Sequence, residues 1–156
     1  MVSFRKMQGL GNDFAVFDAR NEGIAITSDL ARRIADRHFG IGCDTVVVLL
    51  PGTAKADAYL RFFNADGGEI EACGNATRCV ARLLMDERGL ARVRLESMGG
   101  LQICNDAGKG LVAVDMGAPG LDWREFHLAE PQDTHKFQFP VKVGTVNASA
   151  VSMGSP

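Results

Sequence analysis

The sequence has no apolar run long enough to cross a bilayer. Its first residues, Met-Val-Ser-Phe-Arg-Lys, lack the apolar core of a secretory signal, so a cytoplasmic protein is expected. Charge of one sign is missing too: 17 Lys and Arg stand against 19 Asp and Glu, a formal net charge of −2. That balance gives nucleic acid and anionic membranes no electrostatic hold. Low-complexity tracts, long charge runs and convincing internal repeats are absent. The cysteines are few: Cys43, Cys73, Cys79 and Cys104. They do not form paired C-x-x-C sets and the three histidines are scattered, which speaks against a zinc site. Without an export signal a disulfide framework is not expected, and the thiols are read as reduced.

What is present is an ordinary globular composition, 46% apolar and 23% charged. At 156 residues the chain can form one sizeable domain, or one domain and part of a second.

Residues 62 to 79, Phe-Phe-Asn-Ala-Asp-Gly-Gly-Glu-Ile-Glu-Ala-Cys-Gly-Asn-Ala-Thr-Arg-Cys, are the centre of the reading. An apolar strand ends at Phe63, a glycine-containing loop follows, and Cys73 stands just before a helix. From Ala76 the apolar positions are Ala76, Cys79, Val80, Leu83 and Leu84, one buried helix face. Free N–H groups and the helix dipole at that start favour negative charge. A thiol placed there ionises more readily than a free one. The N–H groups near Gly74 and Asn75 can also hold a carboxylate. Gly74, without a Cβ, permits close approach. Cys79, on the apolar face, and Cys104, inside a strand, read as small buried hydrophobes.

Taken in order, residues 2 to 7 read as a strand, Gln8 to Asp13 as a turn and Phe14 to Asp18 as a second strand. On spacing alone, Asn12 and Asp13 belong to a hairpin loop. Ser28 is the expected N-cap of a helix that carries Ala31, Ile34, Ala35 and His38 on one face and closes at Gly40. Arg32, Arg33 and Arg37 read as its solvated face, and His38 as structural. Thr45 to Leu50 is a fully buried strand. Asp57 to Phe63 is another, with Ala58, Leu60 and Phe62 on one face and Tyr59, Arg61 and Phe63 on the other. The helix after Cys73 runs to Glu87 and stops at Gly89. Arg92 to Ser97 alternates with Val93 and Leu95 inward, and residues 101 to 105 and 111 to 116 flank a hairpin over Asp106 to Gly110. Strands, helix, then strands with hairpin links indicate α+β. Gly117 to Gly120 marks a domain boundary. Beyond it, residues 136 to 143 (interrupted by Pro140) and 145 to 153 are strands too few to bury a core of their own. The expected domains are therefore 1–117, and 118–156 as a linker and the incomplete start of a second domain.

Three segments carry a resemblance. Asn64-Ala-Asp-Gly followed by Cys73-Gly-Asn-Ala-Thr-Arg-Cys79, the opening Lys6-Met-Gln-Gly-Leu-Gly-Asn-Asp-Phe14, and Ala35-Asp-Arg-His-Phe-Gly-Ile-Gly-Cys-Asp44 resemble, in order, signatures of the diaminopimelate epimerases. The resemblance implies a mixed sheet or barrel wrapped around a central helix, and cofactor-independent, two-cysteine epimerisation of LL- to meso-2,6-diaminopimelate in lysine biosynthesis. It implies that Cys73 is one catalytic thiol, that Gly74 and Asn75 form the anion cradle, and that Asn12 and Asn64 bind the distal end of the substrate. The family's glutamine contact falls at Thr45, a shorter side chain. Ser152-Met-Gly-Ser-Pro156 resembles a family Ser-Met-Gly-Asn-Pro-His stretch, with Ser155 at the asparagine.

The chemistry fits these residue types. Inverting an α-carbon requires a base on one face and an acid on the other, with the substrate carboxylate held by preorganised donors. Pyridoxal phosphate would otherwise serve as electron sink, but no lysine can be assigned to a Schiff base. Family members are about twice as long, with the second cysteine in the other half, so these residues are expected to carry half a site and not to epimerise alone. Alternatives are an inactive fragment, a partner-binding module with an unfinished sheet edge, a thiol redox protein using Cys73 and Cys79, or a related racemase. The proline racemase pattern has histidine where this chain has Asn75. A homodimer stays open.

Overall fold

The computed structural model describes residues 3–21, 23–126 and 130–153. Val2, in the first expected strand, and Ser155 lie outside the described residues. The chain divides into two compact units, Met1–Met116 and Gly117–Pro156. The architecture is α+β, as the sequence implied.

The first unit holds β1 (Arg5–Gly9), β2 (Asn12–Asp18), α1 (Ser28–Ala35), β3 (Thr45–Pro51), β4 (Ala58–Asn64), β5 (Glu69–Ile70), α2 (Gly74–Arg88), β6 (Arg92–Ser97), β7 (Gly100–Gly108) and β8 (Leu111–Asp115). The strands form one mixed sheet in the order β1-β2-β3-β4-β6-β7-β8. The edge of β4 is shared: β6 pairs in parallel with Ala58 and Tyr59, and β5 pairs antiparallel with Phe62 and Phe63. Helix α2 packs on β1 at one end of this order and on β6, β7 and β8 at the other. A sheet whose two edge strands both touch one helix is curled around it.

Alternation along the strands builds two cores. On the concave side, Phe14, Val16, Val47, Leu49, Leu60 and Phe62 close on α2. On the convex side, Val46, Val48 and Phe63 close on Ala31 and Ala35 of α1. This is why β3, Thr-Val-Val-Val-Leu-Leu-Pro, is apolar at consecutive positions: it is covered on both faces. The burial of α2 is wider than the expected stripe. Thr77, Ala81 and Met85 are buried beside Ala76, Val80 and Leu84, whereas Leu83 is only half-buried. A helix enclosed by a curled sheet meets apolar surface on more than one side. It ends where expected, at Gly89, in the left-handed conformation with φ 66°.

Helix α1 departs from expectation at both ends. Its N-cap is Thr27, whose hydroxyl accepts from the Leu30 N–H at 3.3 Å, so Ser28 is the first helical residue. It stops at Ala35, not at Gly40. Asp36 leaves helical angles, and its carboxylate accepts from the N–H groups of His38 and Phe39, both at 2.7 Å. Such side-chain bonding to the backbone competes with helix continuation. The last carbonyls go to the following loop: Ile41 N–H donates to Ile34 and Cys43 N–H to Ala35. Gly40 is required for close approach, since an added Cβ would collide with the Arg33 carbonyl. His38 is therefore exposed on this turn, off the helix face assigned to it.

Three smaller differences concern strands. Glu69–Ile70 is a strand too short to leave a periodic signal. The expected long turns tighten to two residues, Leu10-Gly11 and Lys109-Gly110, all four at positive φ, the geometry that matches the twist of antiparallel strands. In the second unit, β9 (Phe137–Val141) and β10 (Gly144–Ala148) form one hairpin in which Pro140 pairs with Thr145. Proline is tolerated there because each strand of a two-stranded sheet has an open edge. The last expected strand ends at Ala148, and Ser152 instead bridges Gly120. This unit also holds a 3-10 turn at Trp123–Phe126.

Enclosure of α2 sets a stability expectation. Leu84 is fully buried in the concave core. Leu84→Ala should cost about 2–5 kcal/mol, read as a lower midpoint in urea unfolding. A cost below about 1 kcal/mol, the scale of a surface substitution, would show that α2 is not enclosed.

Candidate functional site

One rim of the sheet gathers the expected residues. The β1–β2 hairpin pairs Gly9 with Asn12. Parallel pairing of β2 with β3 sets Phe14 beside Thr45, and antiparallel pairing of β3 with β4 sets Thr45 beside Asn64. Asn12, Thr45 and Asn64 thus stand at the same end of three adjacent strands. The start of α2 reaches this end through the hairpin. The Cys79 thiol donates to the Gln8 carbonyl at 3.4 Å. A Cβ on Gly9 would sit 3.3 Å from the Asn75 carbonyl oxygen, so glycine lets the first turn of α2 lie against β1.

Cys73 is the N-cap of α2, with extended backbone angles and no side-chain bond to the helix. The first helical bond after it runs from the Thr77 N–H to the Cys73 carbonyl at 2.9 Å. The N–H groups of Gly74, Asn75 and Ala76 therefore have no carbonyl within the helix to bond. They form the anion-favouring start that the sequence implied. The thiol is half-buried and donates to Asn12 Oδ1 at 3.9 Å. So the Asn12 side chain reaches Cys73 itself.

The remaining candidates divide. The Asn75 side-chain oxygen accepts from Arg78, one turn along the helix, which leaves the cradle to backbone groups. Thr45 is buried, only 4% exposed, and offers a ligand little surface. Asn64 is exposed, and its backbone holds the following turn through the N–H groups of Asn64 and Gly67.

Several neighbours of the site escape a reading by periodicity. Thr77 Oγ1 is shared between the Cys73 carbonyl and Gln102 Oε1, 3.0 Å from each. Gln102 Nε2 in turn donates to Met116 Sδ at 3.3 Å, beside Gly74. An ion network lies behind Asn12. Asp13 pairs with Lys6 and Arg37, each at 2.8 Å, and Arg37 also pairs with Asp44 at 2.8 Å. Asp13 and Asp44 exchange backbone N–H to carboxylate bonds of 3.0 and 2.9 Å. Arg37 is therefore not simply a solvated face. The Arg37 guanidinium and the Lys6 ammonium hold the Asp13 carboxyl well below the usual carboxylate range. The available signal was positional: Asp13, Arg37, Asp44 and Arg78 all lie inside the three quoted segments.

The other thiols differ from Cys73 in solvation. Cys43, Cys79 and Cys104 are buried, and burial pushes each thiol up, that of Cys104 to about 12. Cys73 and Cys79 donate to different partners, which gives a redox pair no support. Among the described residues, no group of His, Cys, Asp and Glu could hold a metal ion, and no helix is long and apolar enough to cross a membrane.

Comparison with known proteins places these features. The family model described as diaminopimelate epimerase matches residues 4–121. A diaminopimelate epimerase of Rhodospirillum centenum is 48% identical over 98% of this chain and 53% of its own length. One from Phenylobacterium zucineum is 50% identical over 84% of this chain and 47% of its own length. The chain thus spans about half the length of the curated relatives it matches. Among solved structures, a hydroxyproline epimerase from Agrobacterium vitis superposes with TM-score 0.60 at 16% identity, over 92% of this chain and 46% of that one. A predicted epimerase from Pseudomonas aeruginosa does so with TM-score 0.56 at 23% identity, over 77% and 45%. At those identities the structures show the shared fold.

Two expectations follow from the geometry. Brief alkylation at neutral pH with peptide mapping should label Cys73 first, because the other thiols are buried and hard to ionise. Faster labelling of Cys79 or Cys104 would contradict the burial. Asp13→Asn should destabilise the protein by roughly 1 kcal/mol at pH 7, discounted for partial exposure. A depressed carboxyl contributes stability above its unfolded pKa and loses it as pH falls through the folded one. The gap between Asp13→Asn and the parent should therefore close progressively below about pH 4. Denaturant unfolding at pH 7 and pH 3 checks this; an equal gap at both would place the effect elsewhere.

Proposed function

The chain belongs to the diaminopimelate epimerase family, and from that premise we propose that its residues form one half of a two-thiol site that epimerises LL- to meso-2,6-diaminopimelate. The half-buried thiol of Cys73, at the uncapped start of α2 and in contact with Asn12, carries the reading. Cys73 exchanges the α-proton on one face of the substrate carbon. The N–H groups of Gly74 and Asn75 hold the α-carboxylate as charge develops beside it. Asn12 and Asn64 bind the distal amino-acid end from the rim of β2 and β4, with the buried Thr45 between them in the strand order.

Epimerisation needs a second group on the opposite face. Cys43, Cys79 and Cys104 are buried and cannot supply it. As the family resemblance implies, the second thiol comes from the half of the relatives that these residues do not span. The setting is lysine biosynthesis in the cytoplasm, without cofactor, nucleic acid or membrane, and a homodimer is compatible with it.

The test uses LL-diaminopimelate in deuterated water, following α-deuterium uptake and meso product together. These 156 residues alone should give neither signal while folded. Adding the C-terminal half of a matched relative as a separate polypeptide should produce both, and Cys73→Ser should remove them. Turnover by these residues alone at the rate of a full-length relative would overturn the half-site reading. Turnover that survives Cys73→Ser would overturn the role of Cys73.

A further inference from the structure

The geometry points to Asp44 as a positioning residue that fixes which end of the Asn12 amide faces the Cys73 thiol. This deepens the proposed function and rests on Cys73 being its reactive thiol. An asparagine amide has a donor end and an acceptor end, interchangeable by a half-turn, and its partners decide the orientation. Asn12 Nδ2 donates to Asp44 Oδ2 at 3.2 Å, and Asn12 Oδ1 lies 3.9 Å from Cys73 Sγ. A carboxylate only accepts. While Asp44 is ionised, the amide nitrogen is held toward it and the oxygen faces the sulfur. An oxygen there accepts from the neutral S–H and offers nothing to a thiolate. A nitrogen there would donate to the thiolate and favour it.

Asp44 is itself held. Its Oδ1 accepts from Arg37 Nη2 at 2.8 Å, and its Oδ2 also accepts from the Asp13 N–H at 3.0 Å. Asp13 is fixed by Lys6 and Arg37. A relay thus runs from β1 and the turn after α1, through Asp44 and Asn12, to the sulfur. The charged groups around it are Lys6 and Asp13 from β1 and β2, and Arg37 and Asp44 from the loop before β3. On α2, Arg78 lies beside Gly74 and Cys79 is a further thiol. Removing Asp44 therefore changes two things, the amide orientation and a nearby negative charge.

A double-mutant cycle separates these effects. The rate of Cys73 labelling by iodoacetamide is measured at pH 7 and pH 10 in the parent, Asp44→Asn, Asn12→Ala and the double variant, each checked for cooperative unfolding. Asp44→Asn and Asn12→Ala should each raise the pH 7 rate by roughly three- to tenfold, as a larger thiolate fraction does. The gain should shrink at pH 10, where thiols ionise in every variant; a mere gain of access would persist. In the Asn12→Ala background, Asp44→Asn should add nothing. An equal gain from Asp44→Asn with and without Asn12 would reduce Asp44 to its charge and overturn the relay. Should Asp44→Asn not fold, Asn12→Ala alone decides: an unchanged pH 7 rate overturns the proposal. No substrate enters the measurement, so its failure leaves the epimerase reading standing, and failure of turnover leaves the relay standing.

Discussion

Enclosure of α2 by the curled sheet is the constraint on which the rest depends. The helix presents Ala76, Val80 and Leu84 to strands that bring Val47, Leu49, Leu60 and Phe62 from the other side. Interiors are packed as densely as organic crystals, so the depth and rotation of α2 are fixed by these contacts. The position of Cys73 follows from that, because it is the residue at which the buried helix begins. The small side chains of Ala76 and Ala81, both fully buried, let the helix sit deep. Gly9 lets its first turn touch the β1–β2 hairpin. The convex core of α1 does different work: it holds the turn after α1 and the loop before β3, and with them Arg37 and Asp44.

The rim combines apolar anchoring with polar adjustment. Surface ion pairs contribute little one at a time. Asp13, Arg37, Asp44 and Lys6 share partners, and two of their bonds involve backbone N–H groups of Asp13 and Asp44. A set so connected defines geometry even where it adds little stability. Its position between two loops and the first residue of β2 makes that geometry relevant to Asn12. The network thereby lies directly behind one uncharged amide, that of Asn12.

Legibility in the sequence followed the range of the forces involved. The helix after Cys73 was readable because its burial is periodic, and its end because Gly89 takes the left-handed conformation. The consecutive apolar residues of β3 were readable because both faces are covered. The end of α1 was misread because the Asp36 carboxylate binds the next two N–H groups and outcompetes the apolar period that would extend to His38. That error carried Arg37 to an imagined solvated face, when the turn in fact aims it at Asp13 and Asp44. Residue chemistry alone made Asn12 part of a hairpin, and resemblance made it a site residue. The hairpin description holds, and the hairpin is what brings the Asn12 side chain to the Cys73 sulfur.

Two influences meet at that sulfur from opposite sides. The uncapped N–H groups of α2 favour negative charge at the helix start. The Asn12 oxygen, with the amide nitrogen held toward Asp44, presents an acceptor to the S–H. The proposed reaction, a reversible exchange at one carbon, would ask the same thiol to give a proton in one direction and take it in the other. A site built only from the helix start would bias it to the thiolate, and one built only from acceptors would bias it to the thiol. Of the two, the amide has interchangeable ends, a donor and an acceptor, and these differ in the form of cysteine they stabilise. In the proposed relay the orientation of that amide is set from the loop before β3, one hydrogen bond from Asn12.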